Sequence, residues 1–532
     1  MSSHTEIQTF IASFENRLAP VEKRIGEAWW ALSTTGTEEA QKEMIEAGEE
    51  YNALFADRDE YKQVKAWHED LSSLDDSLLN RQVEVLYRTF AGSQGDPKVL
   101  GRIEELEAEA NAVYGNHRGT VGGKEAGENE VREILRASDD ESLRREAWEA
   151  SKTVGREVEE TVRELARLRN RLARDAGYRN HYERALDLQD IDAEELAGIM
   201  DRLQSETDAP FADLKRTLDR DLGARFGADT IMPWHLSDPF FQEPLESTDL
   251  DVDRYFADAD VEDLTRRTYD FLGLDVRGVM AQSDLYERAG KSQHAFCISI
   301  GREYPYDVRV LANAQPDAYW TNTLLHEFGH AVYDRHINPN LPYLLRTYSH
   351  LCTTEAIALM MGSLAGDPGW LREITGVPKQ ELDADRKRLA ERKRAEGLIF
   401  TRWTLVMYRF EQLLYEDPDR KDLNDAWWDL VERIQLVERP PGRDEPDWAA
   451  KIHVAVAPVY YHNYVLGALI AAQLRDHLET YVTHGPFYES EAAGRYLLES
   501  FFGPGARENW RDTVLRATGE ELDPAHFIRS IG

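Results

Sequence analysis

The 532-residue sequence predicts a mainly α-helical protein with a small β-hairpin. Three observations carry that expectation: apolar residues recur at three- and four-residue spacing over most of the chain, one stretch reads as paired strands, and no repeat or Ser/Gly/Pro-rich linker separates the chain into pieces. Composition agrees. With 42% hydrophobic and 30% charged residues, 34 Gly and 20 Pro, the chain lies within the globular range and outside the disordered and collagen-like extremes. One catalytic unit over 1–532, shaped as two lobes, is the simplest organisation.

From the N-terminus, Ile7, Phe10, Phe14, Leu18 and Val21 fall on one helical face. Between Val154 and Leu172, the positions Val154, Val158, Val162, Leu165, Leu168 and Leu172 make a second stripe, with Gly177 as its stop and the intervening charges as a solvated face. The exception is His294–Ala312. There HAFCISI and VRVLA flank GREYPYD, and β-branched and aromatic residues around a Gly/Pro-bearing turn predict a hairpin.

Charge narrows the partners. Subtracting 99 Asp+Glu from 63 Lys+Arg leaves −36, so the diffuse positive field that binds nucleic acid or anionic lipid is missing. The acidic surplus, with Arg outnumbering Lys, fits a salt-tolerant surface and a biased genomic composition equally well. The opening MSSHTEIQTF lacks a basic patch followed by an apolar run, no stretch of about 18 apolar residues occurs, and only Cys297 and Cys352 are present. A cytoplasmic location without membrane partners is the expectation; oligomeric state is not legible.

The chemistry concentrates in YWTNTLLHEFGHAVYD. His326 and His330 are four apart, so a helix projects both imidazoles from one face toward a single ion. Asp317 can cap that helix and Asn338-Pro339 can stop it, giving about 18 residues. Two imidazoles and a carboxylate suit Zn2+, with a position left for water; Glu355, 25 residues beyond His330, is the third candidate ligand, on a helix that Thr353 or Thr354 could cap. Glu327 is the candidate general base for a water acidified by the metal. Gly329, between the histidines, would let substrate or another helix come close. Downstream, KIHVAVAPVYYHNYVLG supplies His453, Tyr461 and Tyr464 as donors for a tetrahedral oxyanion, the two tyrosines three apart and hence helix neighbours.

At this point the sequence resembles the angiotensin-converting-enzyme family of zinc peptidyl-dipeptidases and, more distantly, thimet oligopeptidase and oligoendopeptidase. The similarity includes AWWALSTTGTEEAQ, Asp307-Val308-Arg309 seventeen residues before His326, HEFGH, EAIA at Glu355 and KIH with its following Pro and tyrosines. The resemblance implies a helical ellipsoid whose two lobes flank a deep substrate channel, with N-terminal helices as a lid, the HExxH region at 294–365 and the His/Tyr region at 449–474. It implies zinc on His326, His330 and Glu355, Glu327 as base and then acid, and His453 and Tyr464 on the substrate carbonyl. It further implies a strand at Ala295 pairing with the peptide backbone, and Lys451, Tyr461 and Gln242 gripping the substrate's C-terminal carboxylate.

Departures from the family pattern leave three points open. An ungapped match from His453 puts Tyr460 where Tyr461 is assigned and Asn463 where Tyr464 is, so the assignment assumes a one-residue insertion. His462 and Asn463 occupy the place of the family's chloride-binding Arg, so chloride activation does not carry over. Leu359 stands where the family has an acid four residues beyond the glutamate ligand, leaving the support of the metal ligands unassigned. The expected activity is release of C-terminal dipeptides from oligopeptides, with an oligoendopeptidase of thimet type, or a peptide-binding protein without turnover, as the alternatives.

Overall fold

The stripes read from the sequence become helices, and aspartates start many of them. Asp57, Asp76, Asp140 and Asp192 each accept hydrogen bonds from amides of the first helical turn, so part of the acidic surplus is spent on capping. The computed structural model describes residues 2–71, 75–245 and 250–531.

In chain order the elements are α1 (Ser2–Thr35), α2 (Glu38–Phe55), α3 (Arg58–Glu69), α4 (Ser77–Gly92), α5 (Pro97–Asn116), β1 (Gly119–Val121), β2 (Lys124–Ala126), α6 (Glu128–Ala137), α7 (Glu141–Lys152), α8 (Val154–Asp175), α9 (His181–Leu188) and α10 (Ala193–Phe226). Then come α11 (Val261–Phe271), α12 (Arg277–Met280), β3 (Phe296–Ser299), β4 (Val308–Leu311), α13 (Ala318–Arg335), α14 (Leu351–Gly362), α15 (Pro368–Trp370) and α16 (Lys379–Glu416). The chain ends with α17 (Leu423–Leu430), α18 (Ile452–Val456), α19 (His462–His477), α20 (Glu491–Leu497), α21 (Trp510–Thr518) and α22 (Ala525–Ile531). The fold is mainly α.

Two compact units emerge, each assembled from separate stretches: 1–94, 250–389 and 466–527 form the first, 95–249, 390–465 and 528–532 the second. Three of the five boundaries fall inside helices α16, α19 and α22, so no linker marks them in the sequence.

In the first unit, α1–α4 bury Ile7, Ile11, Phe14, Leu18, Phe55, Val64, Leu86 and Phe90 in one cluster with Tyr343 and Leu344. Phe14 is central, its ring 5.3 Å from those of both Phe55 and Phe90. Phe10, expected on the same face, is half-buried against this cluster. The hairpin of His294–Ala312 forms as β3 and β4, antiparallel with Phe296 opposite Leu311 and Ser299 opposite Val308. A second two-stranded sheet, β1–β2, goes beyond the single hairpin expected; its turn is Gly122-Gly123, both at positive φ, the backbone that two-residue hairpin turns demand.

In the second unit, α8 buries Val154, Val158, Val162, Leu165 and Leu172 and ends at Asp175, just before Gly177. Its charged side is not wholly solvated, which corrects the expectation above. Arg169 is buried, and its guanidinium donates to Glu107 at 2.7 Å and to the Ala455 carbonyl at 2.5 Å, partners that compensate for lost water.

Phe14→Ala should cost about 3–5 kcal/mol and loosen the N-terminal helices first. Hydrogen exchange should rise across α1 while α13 keeps its protection; equal protection in both variants would contradict the packing described.

Candidate metal centre

Helix α13 begins where Asp317 accepts the Trp320 amide at 2.7 Å and ends at Arg335, 18 residues later. It lies against α14, and the contact is unusually close: a Cβ on Gly329 would stand 2.8 Å from the Ala358 Cα. Only glycine fits there. Of the two partners open to Gly329 from the sequence, the one it meets is a helix, and that helix carries Glu355.

The cap of α14 differs from expectation. His350, not Thr353 or Thr354, is the N-cap, its Nδ1 accepting the Cys352 amide at 3.0 Å. Both threonines lie inside the helix and are buried, which frees Thr354 for another role. Its Oγ1 is 2.7 Å from His330 Nδ1. With the proton on Nδ1 donated to Thr354, the Nε2 lone pair of His330 turns toward Glu355.

One ligand atom from each of His326, His330 and Glu355 lies within 4.8 Å of the others. The His326 Nε2 is 3.7 Å from Glu355 Oε1 and the His330 Nε2 3.6 Å from Oε2, with the two rings nearly perpendicular at 5.0 Å. Glu355 is backed by α19, where a Cβ on Gly467 would stand 2.9 Å from its Cγ. Two nitrogens and a carboxylate converging on one point are the donor set that zinc takes.

Burial sets the electrostatics. It depresses His326 to about 4, and His330, with His326 adding repulsion, to about 3, so both imidazoles are neutral and their lone pairs available. Burial also raises Glu355 to about 7. Glu327, beside His326, is raised to about 8, first by burial and then by the Glu355 charge, while the Cys297 amide of β3 pulls it back by hydrogen bonding to its carboxylate. A divalent cation would offset the cost of burying these donors together.

Ala295 stands one residue before β3, which starts at Phe296. Among the described residues β3 pairs only with β4, so its other edge has no strand partner.

The remaining expected site residues belong to the second unit. Lys451 Nζ donates to Gln242 Oε1 at 3.0 Å and lies 5.4–5.9 Å from the ring centres of Phe240, Trp403 and Tyr461. Burial lowers it to about 8. Gln242 is held by its backbone, for the buried Asp238 accepts the amides of Phe240, Gln242 and Glu243 at 2.8–3.0 Å.

His453, on α18, is depressed to about 4 by burial and then by Lys451, and its ring is 4.9 Å from Tyr461. Tyr461 precedes α19 rather than lying on it, and Tyr464 is in its first turn; their rings nonetheless meet at 5.5 Å. Tyr460 packs on Tyr464 at 5.2 Å. Asn463 is committed elsewhere, its Nδ2 donating to Gln189 at 2.8 Å.

A helical body carrying a half-buried His–His–Glu group, with both histidines on an HExxH helix, defines the metallopeptidase class. The chain belongs to peptidase family M3, whose model matches residues 134–532, while the model for angiotensin-converting enzyme matches residues 1–234. Among curated proteins it is similar to an angiotensin-converting enzyme of Haematobia irritans exigua, 25% identical over 37% of this chain and 34% of that protein. It is also similar to an inactive angiotensin-converting enzyme-related protein of Caenorhabditis elegans, 27% identical over 29% of this chain and 18% of the other. The matches thus span about a third or less of the length of these relatives.

Thr354→Val should weaken metal binding by about 10–100-fold without unfolding α14, with Thr354→Ser close to the parent. Competition with a chromogenic chelator measures both; equal affinities would remove Thr354 from the site.

Proposed function

We propose that the protein is a zinc-dependent peptidase acting on short peptides in the cytoplasm, and that it releases dipeptides from a free C-terminus. The observation that carries the hydrolytic reading is the convergence of His326, His330 and Glu355 within 4.8 Å beside the buried Glu327. A zinc ion bound there supplies Lewis acidity, polarising the scissile carbonyl and acidifying water.

The rest falls to the chain's own side chains. Glu327 takes the proton of the attacking water on its carboxylate and returns it to the departing amine. His453 and Tyr464 donate to the carbonyl oxygen as it gains charge. His453, neutral because burial holds its pKa near 4, donates through its ring N–H. Lys451, Gln242 and Tyr461 receive the terminal carboxylate; the Lys451–Gln242 hydrogen bond and the aromatic wall around the ammonium support that role. The β3 edge without a strand partner, one of whose amides, that of Cys297, is given to Glu327, supports a backbone-to-backbone contact with the peptide at Ala295.

A second reading, an oligoendopeptidase indifferent to the C-terminus, is favoured by one finding. The family M3 match includes the metal and His/Tyr regions, whereas the angiotensin-converting-enzyme match ends before them.

Mass spectrometry of products from one free-acid and one amidated peptide, with and without chelator, separates the readings. Dipeptides from the free acid alone are expected, and internal cleavage of both peptides would favour the endopeptidase. Glu327→Gln should keep one zinc per chain and lose about 10²–10⁴ in kcat; full turnover by that variant would overturn the mechanism.

The pH dependence follows from Lys451. Its pKa lies near 8, so the ammonium is present below that value and is lost as pH rises through it. KM for free-acid peptides should therefore rise by about tenfold per pH unit above 8, while the inhibition constant of an amidated peptide stays flat. Parallel profiles for the two would remove Lys451 from substrate binding.

A further inference from the structure

Between His453 and Tyr461 the backbone passes through a residue in an unfavourable conformation. Val459 has φ +53°, the left-handed region that a β-branched side chain avoids because its Cβ crowds the backbone, and the residue is buried. Surrounding groups must impose this geometry. The Val459 amide donates to Glu411 Oε1 at 2.7 Å, and its carbonyl accepts from Gln189 Nε2 at 3.1 Å. Gln189, the residue that closes α9, uses its Oε1 to accept from Asn463 Nδ2 at 2.8 Å. Both polar atoms of one strained residue therefore end on side chains from outside its own segment, and the same amide reaches into α19.

The helix before the turn is tied down in the same way, since Arg169 donates to the Ala455 carbonyl of α18 at 2.5 Å. Glu411 sits on α16 and is itself buried. Burying a carboxyl is costly, and packing alone would be served as well by Leu or Met. What the carboxyl adds is an acceptor aimed at the amide of a left-handed valine.

We propose that Glu411 and Gln189 are a positioning pair that locks the left-handed turn at Val459 and so fixes how the His453 imidazole stands relative to the Tyr461 and Tyr464 rings. The inference rests on the reading that His453 and Tyr464 act on the substrate carbonyl, and it adds residues that touch no substrate. Without the lock, Val459 relaxes to negative φ, the chain changes direction there, and the tyrosines move off the imidazole.

The test measures kcat and KM per metal-loaded molecule, together with amide exchange over residues 453–464. Glu411→Leu should lower kcat by about 10²-fold, the loss expected of a misplacement near 1 Å, with KM changed by less than about threefold and faster exchange in the segment. Glu411→Gln, whose amide oxygen still accepts the Val459 N–H, should keep at least about a third of kcat. Adding Val459→Gly to Glu411→Leu should recover about fivefold or more, because glycine takes positive φ without strain.

Wild-type kcat in Glu411→Leu, or equal losses in the Leu and Gln variants with no recovery from glycine, would overturn the proposal. Should Glu411→Leu fail to fold, Gln189→Leu decides: lower kcat with faster exchange supports the lock, and unchanged kcat overturns it. His453→Ala and Tyr464→Phe are assayed alongside. If both leave kcat intact, the functional reading falls and the positioning role falls with it; if both lower kcat while Glu411→Leu does not, the positioning role alone is lost.

Discussion

The close approach of α13 and α14 is the constraint on which the rest of the metal group depends. With no side chain on Gly329, the two helices come near enough that Glu355 arrives beside the imidazoles of His326 and His330, and Thr354, one residue before it, meets the far nitrogen of His330. Gly467 does the same service from α19 by leaving room for the Glu355 side chain. Two glycines, at the positions where a Cβ would collide, thus set where three donors meet.

Desolvation then does the chemistry's groundwork. The same burial that keeps both histidines neutral makes the Glu355 and Glu327 carboxylates reluctant anions. A divalent cation bound here would offset the cost of burying the Glu355 charge, and that relief would be part of its binding energy. Glu327 shares the same dryness, eased by the Cys297 amide that hydrogen-bonds to its carboxylate. In the second unit, buried polar groups serve geometry: Asp238 gathers three amides to shape the segment bearing Gln242, and Glu411 holds one amide to shape the turn before Tyr461.

Much of this was legible in the sequence because it depends on local spacing. The i, i+4 histidines, the Asp317 cap, the stripe of α8 and the β3–β4 hairpin follow from periods of 3.6 and 2 and from turn residues. What escaped depends on contacts distant in the chain. Thr354 looks like a helix cap until α13 is seen beside it, Arg169 looks solvated until α18 covers it, and the boundaries inside α16, α19 and α22 leave no compositional trace. The β1–β2 hairpin did have a signal, Gly122-Gly123, but strands of three residues offer no alternation to read. The register of the tyrosines could not be set from spacing alone; in the structure the Tyr461 ring centre lies 4.9 Å from that of His453 and 5.9 Å from Lys451 Nζ.

The central claim is that one divalent ion is held by two rings from α13 and a carboxylate from α14. A crystal of the metal-loaded protein, with anomalous data collected on both sides of the zinc absorption edge, tests it most directly. The account predicts one zinc peak per chain, about 2.0–2.2 Å from His326 Nε2, His330 Nε2 and a Glu355 oxygen. A stoichiometrically loaded protein with its peak elsewhere, or with Glu355 turned away from the ion, would contradict it.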